Sequence, residues 1–496
     1  MCAITVGVSV AAVIALLPIQ VVAIIAIGTI LLVAVAAIMA DPVIGLALTL
    51  FFAVFAPLEN ILFQLPVESG QVLIALTAIS WLARTLYRRK AGIVTGPLVW
   101  PLLLFTFSGF ISFFASNSAE QWAKECLKWV EVLFVYVLTV SEVRNSSRSR
   151  NIILAAILAS TLFEACLGVY QFGLRGTGPE SFQIAGLRYY RSYGTFEQPN
   201  PLGGYMGLAW PFMSGFALYT CGKAIDMMRL HSGKPSLQHI RTLVIAMLAS
   251  LAAATSLLAL ITSWSRGAWI GAVVALAIML TVALRKPVVT VAILGVTVVL
   301  TLILNMAGVI PQSVTNRFTS FLDEFASLDV RHVTVTSINH AVIERLAHWQ
   351  AAENMIIDKP WSGVGFGNYG AVYDVYRTMN WPLALGHAHN YYLNVFAETG
   401  VFGLMAYLIL WLCVFLRSVL LARPRWIEIK PRATHLFGSQ SHNLRAMLAF
   451  GLVGTWTQLS VHQVVDNLFV ANIFLLIGVL LGLLDGLQHE QAGITQ

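Results

Sequence analysis

GHAHNYYLNVFAETGVFGL, residues 386–404, decides how this chain is read. It opens with two histidines, His387 and His389, and runs into an apolar stretch that continues to residue 421. A histidine where a chain enters lipid can accept or release a proton near neutral pH, since its unperturbed pKa is about 6.5. Asn390 suits a helix start, where its side-chain oxygen can take a backbone N–H. Gly400 follows His389 by eleven residues. That is about three helical turns, so a continuous helix would bring both to nearly one face. Gly400 and Gly403 would then form a small-residue face that a neighbouring helix can approach closely.

The composition around this stretch is that of a membrane protein. Of 496 residues, 58% are hydrophobic and only 11% charged, with a mean hydropathy of +0.78. A soluble domain carries about 25% charged residues, so an all-α polytopic integral membrane protein is expected. Apolar runs lie near residues 4–17, 19–39, 41–58, 71–87, 97–115, 122–141, 151–173, 200–221, 241–263, 267–284, 287–307, 392–421, 444–463 and 467–487. Several are shorter than the roughly 20 residues a spanning helix needs, and the first three are crowded, which gives 12 to 14 spans. The apolar N-terminus has no basic leader and passes straight into further runs, so it reads as spans and not as a signal peptide. The five cysteines are scattered and no CxxC occurs, so neither a disulfide framework nor a cysteine metal site is expected.

Charge sets the orientation. Arg84, Arg144, Arg148, Arg150, Lys223, Arg241, Lys286, Arg417 and Arg445 fall in connectors that alternate with poorly basic ones. The basic connectors mark the cytoplasmic side, which also places both termini there. This asymmetry explains most of the net charge of +7, and no nucleic-acid partner is expected. The chain divides into N-terminal spans over 1–307 with an outer loop at 174–199, an outer segment at 308–391, and C-terminal spans over 392–496.

Basic residues on the outer side ask for a reason. The outer loop 174–199 holds Arg175, Arg188 and Arg191 among Tyr189, Tyr190 and Tyr193. The turn TSWSRGAWIG, residues 262–271, sets Arg266 at a helix entrance. Guanidinium groups fork onto phosphate oxygens, so two or three of them converging on one cavity would hold a diphosphate. A single such arginine is as easily explained by snorkelling to lipid headgroups. In the segment 308–391, residues 341–357 read as a helix that Pro360 ends, and PWSGVGFGNYG, 360–370, as a tight loop folding the segment back as a small lid. Its GxGxxG follows no strand, so a dinucleotide site is rejected.

HNYYLNVFAETGVFG fits the pattern H-[NSQ]-x9-G-x-x-G and, with RSYGTFEQPNPLG, SWSRGAWIG and WQAAENMIIDKPWSGVGFGNYG, resembles the O-antigen ligase and polymerase superfamily over roughly residues 185–405. The resemblance implies a GT-C-like membrane glycosyltransferase at the periplasmic face of a Gram-negative inner membrane, working without metal or other cofactor. The donor would be a glycan on undecaprenyl diphosphate and, for a ligase, the acceptor a sugar hydroxyl of lipid A-core. His389 matches the family's essential histidine, and Arg191 and Arg266 fall where its outer-loop arginines lie; Arg188 is merely close by.

The residue inventory points the same way on metal. No D-x-D, D-x-E, E-x-D or E-x-E pair occurs, and Mg²⁺ or Mn²⁺ usually needs such oxygen ligands. The leaving diphosphate then needs another cation. The open alternatives are an O-antigen polymerase, a protein O-oligosaccharyltransferase and, from a different class, a lipid-linked glycan transporter. A transporter would carry its polar residues near the midplane, whereas the notable charges here cluster at one face. Glu131, Glu164, Asp374, Glu398 and Tyr205 have no role assigned by spacing.

Overall fold

The computed structural model describes residues 19–487, except 64–67, 88–93, 185–187, 231–235, 285, 318–328, 331–332, 336–339, 379–380 and 423–443. The first apolar run, 4–17, both termini and the basic residues of 423–432 therefore lie outside the described residues. Each of the other thirteen runs becomes helix. In chain order these are α1 (Ile19–Ala40), α2 (Pro42–Phe52), α3 (Ala56–Phe63), α4 (Ser69–Tyr87), α5 (Val99–Ile111), α6 (Ala119–Asn145), α7 (Ser147–Gly173) and α8 (Pro199–Leu230). There follow α9 (Leu237–Thr262), α10 (Arg266–Leu284), α11 (Pro287–Met306), α12 (His340–Asp358), α13 (Tyr369–Tyr376), α14 (Tyr391–Ala422), α15 (Leu444–His462) and α16 (Ile473–Gly486). Among the described residues no strand forms; Gln183 and Tyr190 make an isolated antiparallel bridge.

The helices form because each apolar run must satisfy its backbone internally once water is excluded. Among the described residues six helical stretches are long and apolar enough to cross a membrane, one of them running through α2 and α3 as Pro42–Ile61, so the chain is a helical, multi-pass membrane protein. The last run starts later than its hydropathy suggests. Residues 467–472 stay out of helix because Asn467 takes the Phe469 N–H and Asn472 sits at φ +58°.

One apolar core unites the bundle, with α8 packed along α9 and α15, α15 against α10, and α16 against α6. A second, smaller core lies at one end. Val342, Leu346 and Met355 of α12 meet Tyr369 and Tyr373 of α13, together with Trp381 and Ala388. The opposite end is tied by a buried carboxylate. Asp485 pairs with Arg417 and accepts from Tyr136 Oη at 2.6 Å and from the Leu98 N–H at 3.0 Å.

The 386–404 stretch departs from the sequence reading. The spacing of His389 and Gly400 predicts one continuous helix, but α14 is broken at Gly400, whose backbone sits at φ 66°, ψ −170°. Only glycine adopts that conformation readily. The loop 360–365 enters the break. Val401 N donates to Pro360 O, Val364 N to Ala397 O and Gly365 N to Glu398 O, each at 2.9 Å. The Glu398 carboxylate then takes the Tyr369 N–H at 3.0 Å. Gly400 therefore receives a loop and not a neighbouring helix; a Cβ there would lie 2.1 Å from Trp361 O. A Cβ at Gly403 would meet Thr399 of its own helix.

Candidate active site

The outer loop is pinned to helix ends. Ser192 N donates to Thr262 O at 3.0 Å, and Ser192 Oγ donates to Gly168 O. Gln171 Oε1 takes the N–H groups of Tyr193 and Gly194, while Glu164 takes the Thr195 N–H and hydroxyl. Glu164 thus has a structural duty that spacing did not reveal. These contacts aim Arg191 inward, where its Nε donates to Ser263 O at 2.9 Å and its Nη2 to Asn200 Oδ1 at 3.0 Å.

Arg191 and Arg266 meet in one cavity of about 250 Å³, joined by Arg317, Arg345, Glu344, His462 and Asp466. Arg317 is held by Trp264 O, a residue at φ +57° in the turn before α10, and Arg345 by Val465 O. Gly267 lets the turn close; a Cβ there would come 2.5 Å from the His462 ring. Among the described lining residues, four arginines against Asp466 and Glu344 leave a surplus of two positive charges. Burial, and then the charges of Arg317, Arg345 and Arg266, push the Arg191 guanidinium down to about 9. It is still a cation at pH 7, but crowding disfavours its charge and an anion in the cavity would relieve that. Arg188 is not part of the cavity; it is exposed, its guanidinium 5.5 Å from the Tyr189 ring centroid. Arg175 donates to Tyr193 Oη instead.

His389 lies beside this cavity, with Asp466 between them. Its Nδ1 is 3.8 Å from Asp466 Oδ1, too long for a hydrogen bond. Among the described residues neither ring nitrogen of His389 has a hydrogen-bond partner. His389 lies just before the helix. Asn390 is the cap, accepting from Leu393 N at 3.1 Å, and His389 sits before it at φ +51°. Two further contacts fix this strained residue. Its N–H donates to His387 Nδ1 at 3.1 Å, and the preceding Ala388 N–H goes to Asn394 Oδ1 at 3.0 Å. Tyr391 N donates to Gln463 O, which joins the start of α14 to the turn carrying Asp466.

The His389 ring stacks edge-on with His387 at 4.4 Å and His348 at 5.6 Å. Burial, and then the neighbouring histidines, hold His348 down to about 3. Burial and His389 likewise lower His387 to about 4. Both therefore stay neutral at pH 7. Burial alone would raise the Asp466 carboxyl, but His389, His462 and Arg345 overcome it and keep the group below the ordinary carboxylate range. The arrangement can hold a dianion in the arginine cavity beside an imidazole backed by a carboxylate. That is equipment for moving a proton next to a bound dianion.

Sequence reasoning missed Arg317, Arg345, His462 and Asp466. Arg317 and Arg345 carried the same signal as Arg191, basic residues in an outer segment, and could have been found by it. Asp466 had none beyond being a carboxylate in an outer turn. Among the other unassigned groups, Asp374 is an exposed partner of Arg377, and Tyr205 Oη donates to Ser160 Oγ inside the bundle.

Residues 251–408 match the family model described as O-antigen ligase. The match takes in Arg266, Arg317, Arg345 and His389 and leaves out Arg191 and Asp466. No curated protein matches the chain.

Proposed function

We propose, from the match of residues 251–408 to the O-antigen ligase family model, that the chain transfers a glycan from undecaprenyl diphosphate to a sugar hydroxyl of lipid A-core at the periplasmic face of the inner membrane. The observation that carries the reading is the four-arginine cavity adjoining the Asp466-backed His389. A diphosphate linked to lipid and sugar bears two negative charges, equal to the surplus in the cavity. Arg191, Arg266, Arg317 and Arg345 bind it and stabilise the charge that grows as the sugar–phosphate bond breaks. His389 removes the acceptor hydroxyl proton while that oxygen attacks the anomeric carbon, and one displacement inverts the configuration. Asp466 balances the charge of the imidazole once it is protonated. A general base contributes about 10²–10⁴-fold, and the diphosphate is a good leaving group that needs little acid. The reading is metal-independent because guanidinium groups take the part a divalent ion would play.

The test uses purified protein, undecaprenyl-diphosphate O-antigen and lipid A-core with EDTA present. The expected result is an O-antigen-shifted lipid A-core band from wild type and none from His389→Ala, which still binds donor. A donor that lengthens on its own would make the acceptor a growing glycan, as in a polymerase. Wild-type transfer by His389→Ala would overturn the base assignment.

A further inference from the structure

A larger cavity, about 360 Å³, lies at the other end of the bundle between α7, α8 and α9. It takes no part in the chemistry above. Its mouth carries Arg150 on the first turn of α7, Lys223 near the end of α8 and Arg241 near the start of α9. Below each cation, at helical spacing, the lining turns apolar. Leu154 and Leu158 lie one and two turns beneath Arg150, Phe216 two turns from Lys223, and Ile245 one turn from Arg241. Leu154, Leu158 and Phe216 are buried and Ile245 is half-buried, while Lys223 and Arg241 are exposed.

The repeat of cation above and hydrocarbon below on three helices is the complement of an anionic amphiphile. A soluble anion has no use for the apolar wall, and a zwitterionic headgroup does not answer three cations. The depth fits as well. From Arg241 to Thr262, the last residue of α9, the helix rises about 32 Å, one hydrocarbon thickness, so the mouth lies at headgroup level of the leaflet opposite the arginine cavity. Next to the mouth, Leu243, Val244, Met247 and Leu251 of α9 are exposed, as expected of a helix face against lipid chains.

We propose that this crevice binds an anionic phospholipid, its phosphate on Arg150, Lys223 and Arg241 and an acyl chain along Leu158, Phe216 and Ile245. The lipid fills the wedge between the three helices whose far ends carry the 174–199 loop and the turn at Arg266. It is a resident of the opposite leaflet, distinct from any donor or acceptor held at the arginine cavity.

Native mass spectrometry of the full chain in detergent, titrated with phosphatidylglycerol, phosphatidylcholine or inorganic phosphate, tests this. Phosphatidylglycerol should bind at least ten-fold more tightly than phosphatidylcholine, and inorganic phosphate should not displace it at equal concentration. A basic residue near a membrane surface contributes about five-fold to anionic-lipid binding, so Lys223→Gln/Arg241→Gln should weaken phosphatidylglycerol about 25-fold; both positions are exposed, so the variant keeps its fold. Ala155→Trp fills the cavity without changing charge and should also abolish lipid retention. Equal affinity for the two lipids, displacement by phosphate alone, or wild-type binding by Ala155→Trp would each overturn the proposal.

Discussion

Asp466→Asn isolates the contribution of the carboxylate behind His389. The two groups are 3.8 Å apart, and their side chains are 12% and 14% exposed. At that distance and an effective dielectric of about 20, an imidazolium and a carboxylate attract by about 4 kcal/mol. Screening at the cavity mouth removes part of this. A loss of about 3 kcal/mol in the transition state, where the imidazole is protonated, is about a hundred-fold in rate. The same carboxylate lines the arginine cavity. Its removal raises the positive surplus there from two to three, so donor binding does not weaken. The variant should therefore lose about 10²–10³-fold in kcat while the donor KM stays level or falls. Steady-state transfer measured against donor concentration, with donor binding checked on a labelled analogue, reads both numbers. A ten-fold rise in KM with kcat intact would show that Asp466 serves the cavity and not the histidine, and refute the dyad.

Arg191→Lys keeps the charge but cannot reach both Ser263 O and Asn200 or fork onto two phosphate oxygens; the donor KM should rise at least ten-fold with a smaller change in kcat, and an unchanged KM counts against the clamp. Gly400→Ala forces a Cβ into the Trp361 carbonyl at a glycine-only backbone conformation; destabilisation of about 3 kcal/mol or more should appear as a lowered Tm in detergent, and a wild-type Tm would contradict the broken helix. His348 and His387 are held neutral well below the ordinary histidine range. As pH falls from about 6.5 toward 4, the unfolded chain takes up protons that the folded chain refuses, so stability declines over that window and is unaffected above it. His348→Gln should flatten the Tm-against-pH slope by roughly one proton, and a wild-type Tm that is level between pH 7 and 5 would remove the basis for this.

The helices were legible because a span must be apolar for roughly 20 residues, a signal local to the sequence. His389, Arg191 and Arg266 stood out as candidates because a polar group at the edge of lipid is costly and so conspicuous. What escaped was whatever depends on distance along the chain. Asp466 comes to His389 only because Tyr391 N seats on Gln463 O, across more than 70 residues. Arg317 and Arg345 reach the cavity through carbonyls of two separate turns. The break at Gly400 escaped for a different reason: a glycine at helical spacing reads as helix until the loop at 360–365 is known to fill it.

That break also divides α14 into two rods. From Val401 to Ala422, α14 runs 22 residues, about 33 Å, enough to cross the hydrocarbon by itself. Residues 391–399 are a separate short rod, bolted to the 360–365 loop and to Gln463. Bilayers that thicken or thin make a spanning helix tilt. Here any tilt of the span has to pass through the 360–365 loop, because Val401 N is held by Pro360 O on one side of the break while Val364 N and Gly365 N hold Ala397 O and Glu398 O on the other. The loop that fills the break therefore also splints it, holding the short rod that follows His389 in fixed register with the span.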